Sequence, residues 1–361
     1  MPFLIFAIFL FFGSVLTLIR AHWLWVWMLR IALTEWSWVL LLMAIAVVIF
    51  AGGGTNINHT ARIIAAIAAI IYFLPLIQAV RVAIRDHIFL KMPVRSHVAF
   101  ERIAIGDRGQ HLDFYPSQHS GIAPCVVVVH GGGWQGGDTQ ELSALNSILA
   151  KNGYAVASVS YRLAPESEWP VPYEDVVGAI QFLRAKATRF KIDPDDLILL
   201  GRSAGGQLAA VVAVHKAVPG IRGCICFYAP LDMEFAYQTG REDDLLKSRQ
   251  LLRNYLGGTL ETAPRAYREA SPILYVTQDT VPFLLIHGTR DELVWARHSQ
   301  RFAGELQKHG VKYRHLEFPW STHALDFPPL GLGRMLSTSA VLDFLQDVCK
   351  KPAAGKTTSA D

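Results

Sequence analysis

The chain has 361 residues, 52% hydrophobic and 18% charged, with a formal net charge of +4. That is more apolar and less charged than an average soluble domain. Neither the mild charge nor any basic stripe interleaved with aromatics supports a nucleic-acid partner. The apolar excess lies in residues 1–80, where the Asp, Glu, Lys and Arg side chains are Arg20, Arg30, Glu35 and Arg62. Residues 97–350 have an ordinary globular composition, and about 250 residues bury a sizeable core as one domain.

The first apolar runs are Pro2–Ile19, Trp36–Ala51 and Ile63–Val80. Each approaches the ~20 residues needed to cross a hydrocarbon core, the second falling short. Trp23, Trp25, Trp27, Trp36 and Trp38 cluster as interface aromatics do, and Pro75 kinks the third run. Arg20 and Arg30 lie between the first two runs, and Arg81, Arg85, Lys91 and Arg95 follow the third. With three spans both groups fall on one side, which the positive-inside tendency makes cytoplasmic. The expectation is an integral membrane protein: a three-span anchor over 1–80, a basic juxtamembrane linker over 81–96 and a cytoplasmic domain beyond. The rival for residues 1–19 is a cleaved signal peptide, but a basic n-region and a small-residue cleavage site are missing.

Beyond the linker, short apolar runs predict strands at Val98–Ile105, Leu112–Tyr115, Cys125–His130, Ala155–Ser160, Leu197–Leu200, Gly223–Tyr228, Phe283–His287 and Lys312–Phe318. Helical patterns fall near Leu142–Lys151, Tyr173–Thr188, Gly205–Lys216, Ala296–His309 and Arg334–Lys350. The alternation predicts an α/β domain over 97–350, a mostly parallel sheet covered on both faces. The first two strands have no helix between them and read as an antiparallel edge. Residues 232–280 break the rhythm and read as a lid or insertion. Residues 351–361 read as a disordered tail.

Chemistry concentrates at four places. Gly201-Arg202-Ser203-Ala204-Gly205-Gly206 follows an apolar strand and opens a helix. G-x-S-x-G there is a nucleophile elbow, a tight turn that lifts the Ser203 hydroxyl and points the Ala204 N–H at an oxyanion. His130-Gly131-Gly132-Gly133-Trp134 follows the Cys125–His130 strand. Its glycines free backbone donors for close approach, with Gly132 and Gly133 as oxyanion candidates. Asp291 and His323 each follow one of the last two strands. The order Ser–Asp–His suits a base, His323, oriented by an acid, Asp291. Glu292 and Asp326 are rival acids. Trp134 either lines an acyl pocket or packs under the loop. The cysteines Cys125, Cys224, Cys226 and Cys349 read as buried thiols; they lack metal-site spacing, and no HExxH occurs.

HGGGW, GRSAGG, Tyr161-Arg162-Leu163-Ala164-Pro165-Glu166 and the WPVPYEDV that follows make residues 93–349 similar to the hormone-sensitive-lipase-type carboxylesterases. The resemblance implies the α/β-hydrolase fold and a metal- and cofactor-free esterase using Ser203, Asp291 and His323. Tyr161, Arg162 and Glu166 are then scaffold. Arg202 departs from the acid that usually precedes the family's serine, which puts substrate preference in doubt. Joined to a greasy N-terminus, such a domain is expected to cleave hydrophobic, lipid-like esters at a bilayer. The rivals are a prenylcysteine methylesterase, an arylformamidase-like hydrolase, a transacylase and a catalytically silent ligand sensor.

Overall fold

The computed structural model describes residues 1–21, 23–52, 55–91, 97–106 and 108–349. The expected tail at 351–361, and linker positions 92–96 with Arg95, lie outside the described residues. The chain forms two units. One comprises Met1–Met92, His287–Ala296 and Leu316–Ser339; the other comprises Pro93–Ile286, Arg297–His315 and Ala340–Asp361.

The first unit begins with four helices, α1 (Pro2–Leu16), α2 (Leu24–Glu35), α3 (Ser37–Phe50) and α4 (Asn56–Arg85). Ala61, Ala65 and Ala68 of α4 are buried with Ala44 and Val47 of α3 and Ala7 and Leu10 of α1. Small side chains on one stripe let helix backbones approach closely. The Tyr72 hydroxyl adds a hydrogen bond to the Leu10 carbonyl at 3.0 Å. The large apolar side chains of α4, including Ile63, Ile67, Ile70 and Phe73, point outward.

The helices depart from the expected three spans. Among the described residues, α4 alone is long and apolar enough to cross a membrane; α2 and α3 pass that test only as a pair bent by 72°. α1 has 15 residues and α3 has 14, about 22 Å each against a core of about 30 Å. The second departure is α2 itself. The stretch expected as a loop is helical, and Arg30, counted there as a loop cation, is buried in an ion pair with Glu292 at 2.6 Å.

The second unit is built on a sheet of β1 (Glu101–Ala104), β2 (His111–Tyr115), β3 (Ala123–Val129), β4 (Ala155–Val159), β5 (Ile192–Arg202), β6 (Ile221–Phe227), β7 (Phe283–Gly288) and β8 (Tyr313–Phe318). Their order is β1-β2-β4-β3-β5-β6-β7-β8. β2 is antiparallel to β1 and β4, giving the expected edge, and β4, β3, β5, β6 and β7 pair in parallel. Every residue of β3 is buried, as a continuous β-branched run in a sheet covered on both faces requires. Its pairing sets Val129 opposite Gly201, so the chain leaves β3 beside the end of β5.

The helices of this part of the chain are α5 (Ser143–Lys151), α6 (Val171–Ala185), α7 (Ala187–Phe190), α8 (Ala204–His215), α9 (Met233–Thr239), α10 (Ser248–Leu256), α11 (Pro264–Glu269), α12 (Arg297–Lys308) and α13 (Leu332–Val348). The segment 232–280 thus holds α9, α10, α11 and a 3₁₀ turn at Pro272–Tyr275. Cys125, Cys224 and Cys226 are buried free thiols; burial pushes the Cys125 thiol up to about 12.

Candidate active site

Ser203 stands between β5 and α8 with φ +50° and ψ −120°. A non-glycine residue in that region is strained, and the strain exposes its side chain at a sharp turn. The flanking glycines make the turn physically possible. A Cβ on Gly201 would strike the Gly205 carbonyl, and one on Gly205 would strike the carbonyls of Val129 and His130. The Ser203 N–H donates to the Phe227 carbonyl at 2.9 Å, which ties the turn to β6. Ala204 is the first residue of α8, so its N–H has no intrahelical acceptor and faces out of the helix start. Arg202 is buried, its guanidinium 5.2 Å from the Phe227 ring centre.

The glycine loop follows β3. Gly132 and Gly133 have φ of +100° and +60°, a region open to glycine at little cost. The Gly131 N–H donates to Glu141 Oε2 at 2.8 Å. The loop is braced from the YRLAPE segment: the Tyr161 hydroxyl donates to the carbonyls of His130 and Gly131 at 3.2 Å, and its ring stacks on His130 at 4.2 Å. Arg162 forks onto Asp175 at 2.7 Å. Both are scaffold contacts.

Trp134 is buried, stacked on Tyr255 at 4.3 Å, with its indole N–H donating to Gln207 Oε1 at 3.0 Å. Those contacts are packing under the loop. Gln207, which the sequence reading passed over, also accepts from the Tyr255 hydroxyl at 3.1 Å and donates to the Ala270 carbonyl at 2.7 Å. It joins α8 to the 232–280 segment. Its signal in the sequence is a lone amide in the apolar run Ala204–Val214. Leu251 of α10 lies against Gly133, near enough that a Cβ there would meet Leu251 Cδ1 at 2.7 Å. The insertion therefore reaches the oxyanion candidates.

The expected acid and base, Asp291 and His323, lie in the first unit. His323 Nδ1 donates to Asp291 Oδ2 at 2.6 Å. Asp291 Oδ1 accepts from the N–H groups of Leu293 and Val294, each at 2.9 Å. His287 Nε2 lies 3.2 Å from Asp291 Oδ2. Burial opposes the charge on Asp291, but His323 and His287 more than offset it and hold the carboxyl well below its ordinary value. The two loops touch directly: the Arg290 N–H donates to the Ser321 carbonyl at 3.0 Å, and a Cβ on Gly288 would strike the carbonyls of Ser321 and Thr322. Of the rival acids, Glu292 turns to Arg30, and it is Asp291 that meets His323.

Comparison with known proteins places these features. The BD-FAE family matches residues 112–306, more than half of the chain. The chain is 29% identical over 270 residues to the probable carboxylic ester hydrolase LipM of Mycobacterium tuberculosis, covering 69% of this chain and 60% of that one. It is 27% identical over 237 residues to the isoprenylcysteine alpha-carbonyl methylesterase ICME of Arabidopsis thaliana, covering 61% and 55%. The chain thus spans less than two thirds of the length of these curated relatives. Among solved structures, it superposes on a bacterial heroin esterase with a TM-score of 0.62 at 22% identity, over 77% of this chain and 92% of that one. That likeness shows the fold, an α/β-hydrolase-type mixed sheet with helices about it. By the extent of the first match, the chain belongs to the BD-FAE family.

Proposed function

We propose that the chain is a serine carboxylesterase that cleaves hydrophobic, lipid-like esters at a bilayer. The observation that carries this reading is the hydrogen bond from His323 Nδ1 to buried Asp291. A carboxylate only accepts, so the proton sits on Nδ1 and leaves Nε2 as the basic nitrogen. In the proposed reaction Nε2 takes the Ser203 hydroxyl proton as Oγ bonds to the ester carbonyl carbon. The N–H groups of Gly132, Gly133 and Ala204 hold the oxyanion, each worth about 3–4 kcal/mol of barrier. The imidazolium, stabilised by Asp291, returns the proton to the leaving alkoxide as its C–O bond breaks. A water then repeats the sequence on the acyl-enzyme, releasing the acid and restoring Ser203. Strain at Ser203 and the glycine loop's positive φ angles support the same reading.

The experiment is labelling of the full chain with a fluorophosphonate, alongside hydrolysis of soluble nitrophenyl esters. Wild type is expected to take one label per chain. Ser203→Ala is expected to take none and to lose turnover by about 10⁴-fold or more. An unlabelled wild type, or a Ser203→Ala variant that still turns over, would instead favour the ligand sensor.

The membrane part of the proposal rests on the inverted pattern of α1, α3 and α4, with alanines inside and Ile, Phe and Leu outside. That is how helices pack in lipid, where close approach drives association and apolar surface costs nothing to expose. α3 and α4 are the proposed membrane-inserted hairpin, which returns the chain to the side it left, and Arg20, Arg81, Arg85 and Lys91 then mark that side as cytoplasmic. A narrower reading, a prenylcysteine methyl ester as substrate, is favoured by the name of the Arabidopsis relative together with this apolar surface. Transfer of the acyl group to an alcohol uses the same intermediate.

A further inference from the structure

Asp291 and His323 stand on irregular loops, and a catalytic pair needs placing to within about 0.5 Å. Within their unit, both loops are held by α2. The Glu35 carboxylate is buried, 1% exposed, and takes two donors, one from the base loop and one from the start of α13. One is the Ser321 hydroxyl, and the other is the Gly333 N–H at 2.5 Å. Ser321 precedes His323 by two positions, and its carbonyl already accepts from Arg290 beside Asp291. The clearance is tight: a Cβ on Gly333 would meet Glu35 Oε2 at 2.9 Å. On the same helix, buried Arg30 pairs with Glu292, the residue after Asp291, at 2.6 Å. Glu292 also accepts from the Ala21 N–H at 3.3 Å. Next to α2, the indoles of Trp36 and Trp38 donate to the carbonyls of Pro329 and Leu330 at 2.7 and 3.1 Å.

These are two of the four charged side chains in residues 1–80. A charge buried in an apolar setting stands only where its partners are fixed. Here the partners of these two side chains, Glu292, Ser321 and Gly333, lie on the loop that carries the acid, on the loop that carries the base and at the start of α13, which that second loop leads into. A helix serving only to anchor the chain has no need of buried charges aimed at those loops.

We infer that Glu35 and Arg30 are positioning residues for the His323–Asp291 pair, so that the N-terminal helices complete this half of the site as well as anchoring it. The inference rests on the ester-hydrolase reading. Glu35 touches no reacting atom; it fixes the Ser321 side chain and the Gly333 backbone, and through them the path of the loop around His323.

The test uses the full chain in detergent with a soluble ester, with active sites counted by fluorophosphonate end point. Glu35→Ala is expected to lower kcat per counted site about 10–100-fold, with KM within about twofold, because a small displacement of the base costs that much. Glu35→Gln, which keeps an acceptor for Gly333, is expected to recover most of the loss. Ser321→Ala removes one donor without leaving a buried charge unpaired. It decides the matter if Glu35→Ala does not fold, with an expected fall in kcat of about tenfold. A merely structural contact would lower the number of counted sites and leave turnover per site unchanged; that result in Ser321→Ala and in any folded Glu35 variant overturns the inference alone. A wild type that takes no label overturns the ester-hydrolase reading and the inference with it.

Discussion

The proposed reaction asks a different preparation of each of two residues, Ser203 and Asp291. At Ser203 the preparation is steric: the backbone sits at φ +50° in a turn so tight that a Cβ on Gly201 or Gly205 would strike neighbouring carbonyls. At Asp291 it is electrostatic. Two imidazoles and two backbone N–H groups converge on one carboxylate whose side chain is wholly buried. Asp291→Asn is expected to lower kcat about 10⁴-fold, since an amide can hold His323 in the wrong tautomer. The stability sign follows from the lowered folded-state pKa. Such a group stabilises the fold fully above its unfolded value of about 3.9, and the contribution shrinks as pH falls toward the depressed value. The melting-temperature gap between wild type and Asp291→Asn should therefore be flat above about pH 5 and close below about pH 4. A gap that widens on acidification would contradict this account.

The elements differ in how far their sequence foretells them. The eight strands were all legible as short runs set off by turns, with β2 to β7 largely buried in the sheet and, at its two ends, β1 mostly exposed and β8 mostly half-buried. The elbow was legible as well, since its glycines are dictated by contacts a few residues away in sequence or on the next strand. α2 was not. Its run from Leu24 to Glu35 carries Trp25, Trp27, Arg30 and Glu35, which reads as an interfacial loop until Arg30 and Glu35 are given partners 262 and 298 residues onward. α8 carries a similar lesson in Gln207, whose amide serves Trp134, Tyr255 and Ala270 at once. Gln207→Leu leaves buried polar groups unmatched at about 1–3 kcal/mol each. It should lower the urea midpoint and loosen the 232–280 segment, seen as faster amide exchange at Tyr255 and Ala270. Unchanged exchange there would mean that α10 is held by its leucines and tyrosine alone.

Taken whole, the chain has an amphipathic economy unlike that of an average soluble domain. Its alanines are packed inward in the N-terminal helices and its largest aliphatic and aromatic side chains are left outward. If lipid covers that surface, the full chain in vesicles should hydrolyse an embedded long-chain ester faster than the same ester in detergent micelles, by about tenfold. It should also resist extraction at alkaline pH. Equal rates in both settings and release by alkali would remove the bilayer from the proposal. The sequence by itself determined the strands, their order along the chain, and the tight turns at Ser203 and at Gly132 and Gly133, because those depend on apolar periodicity and on positions that only glycine permits. Only the tertiary structure decided that Glu292 serves Arg30 while Asp291 serves His323, that Trp134 packs beneath its loop, and that α2 grips the loops of the acid and the base. Those pairings join residues from 32 to 286 positions apart, and no local pattern encodes which buried charge will meet which donor.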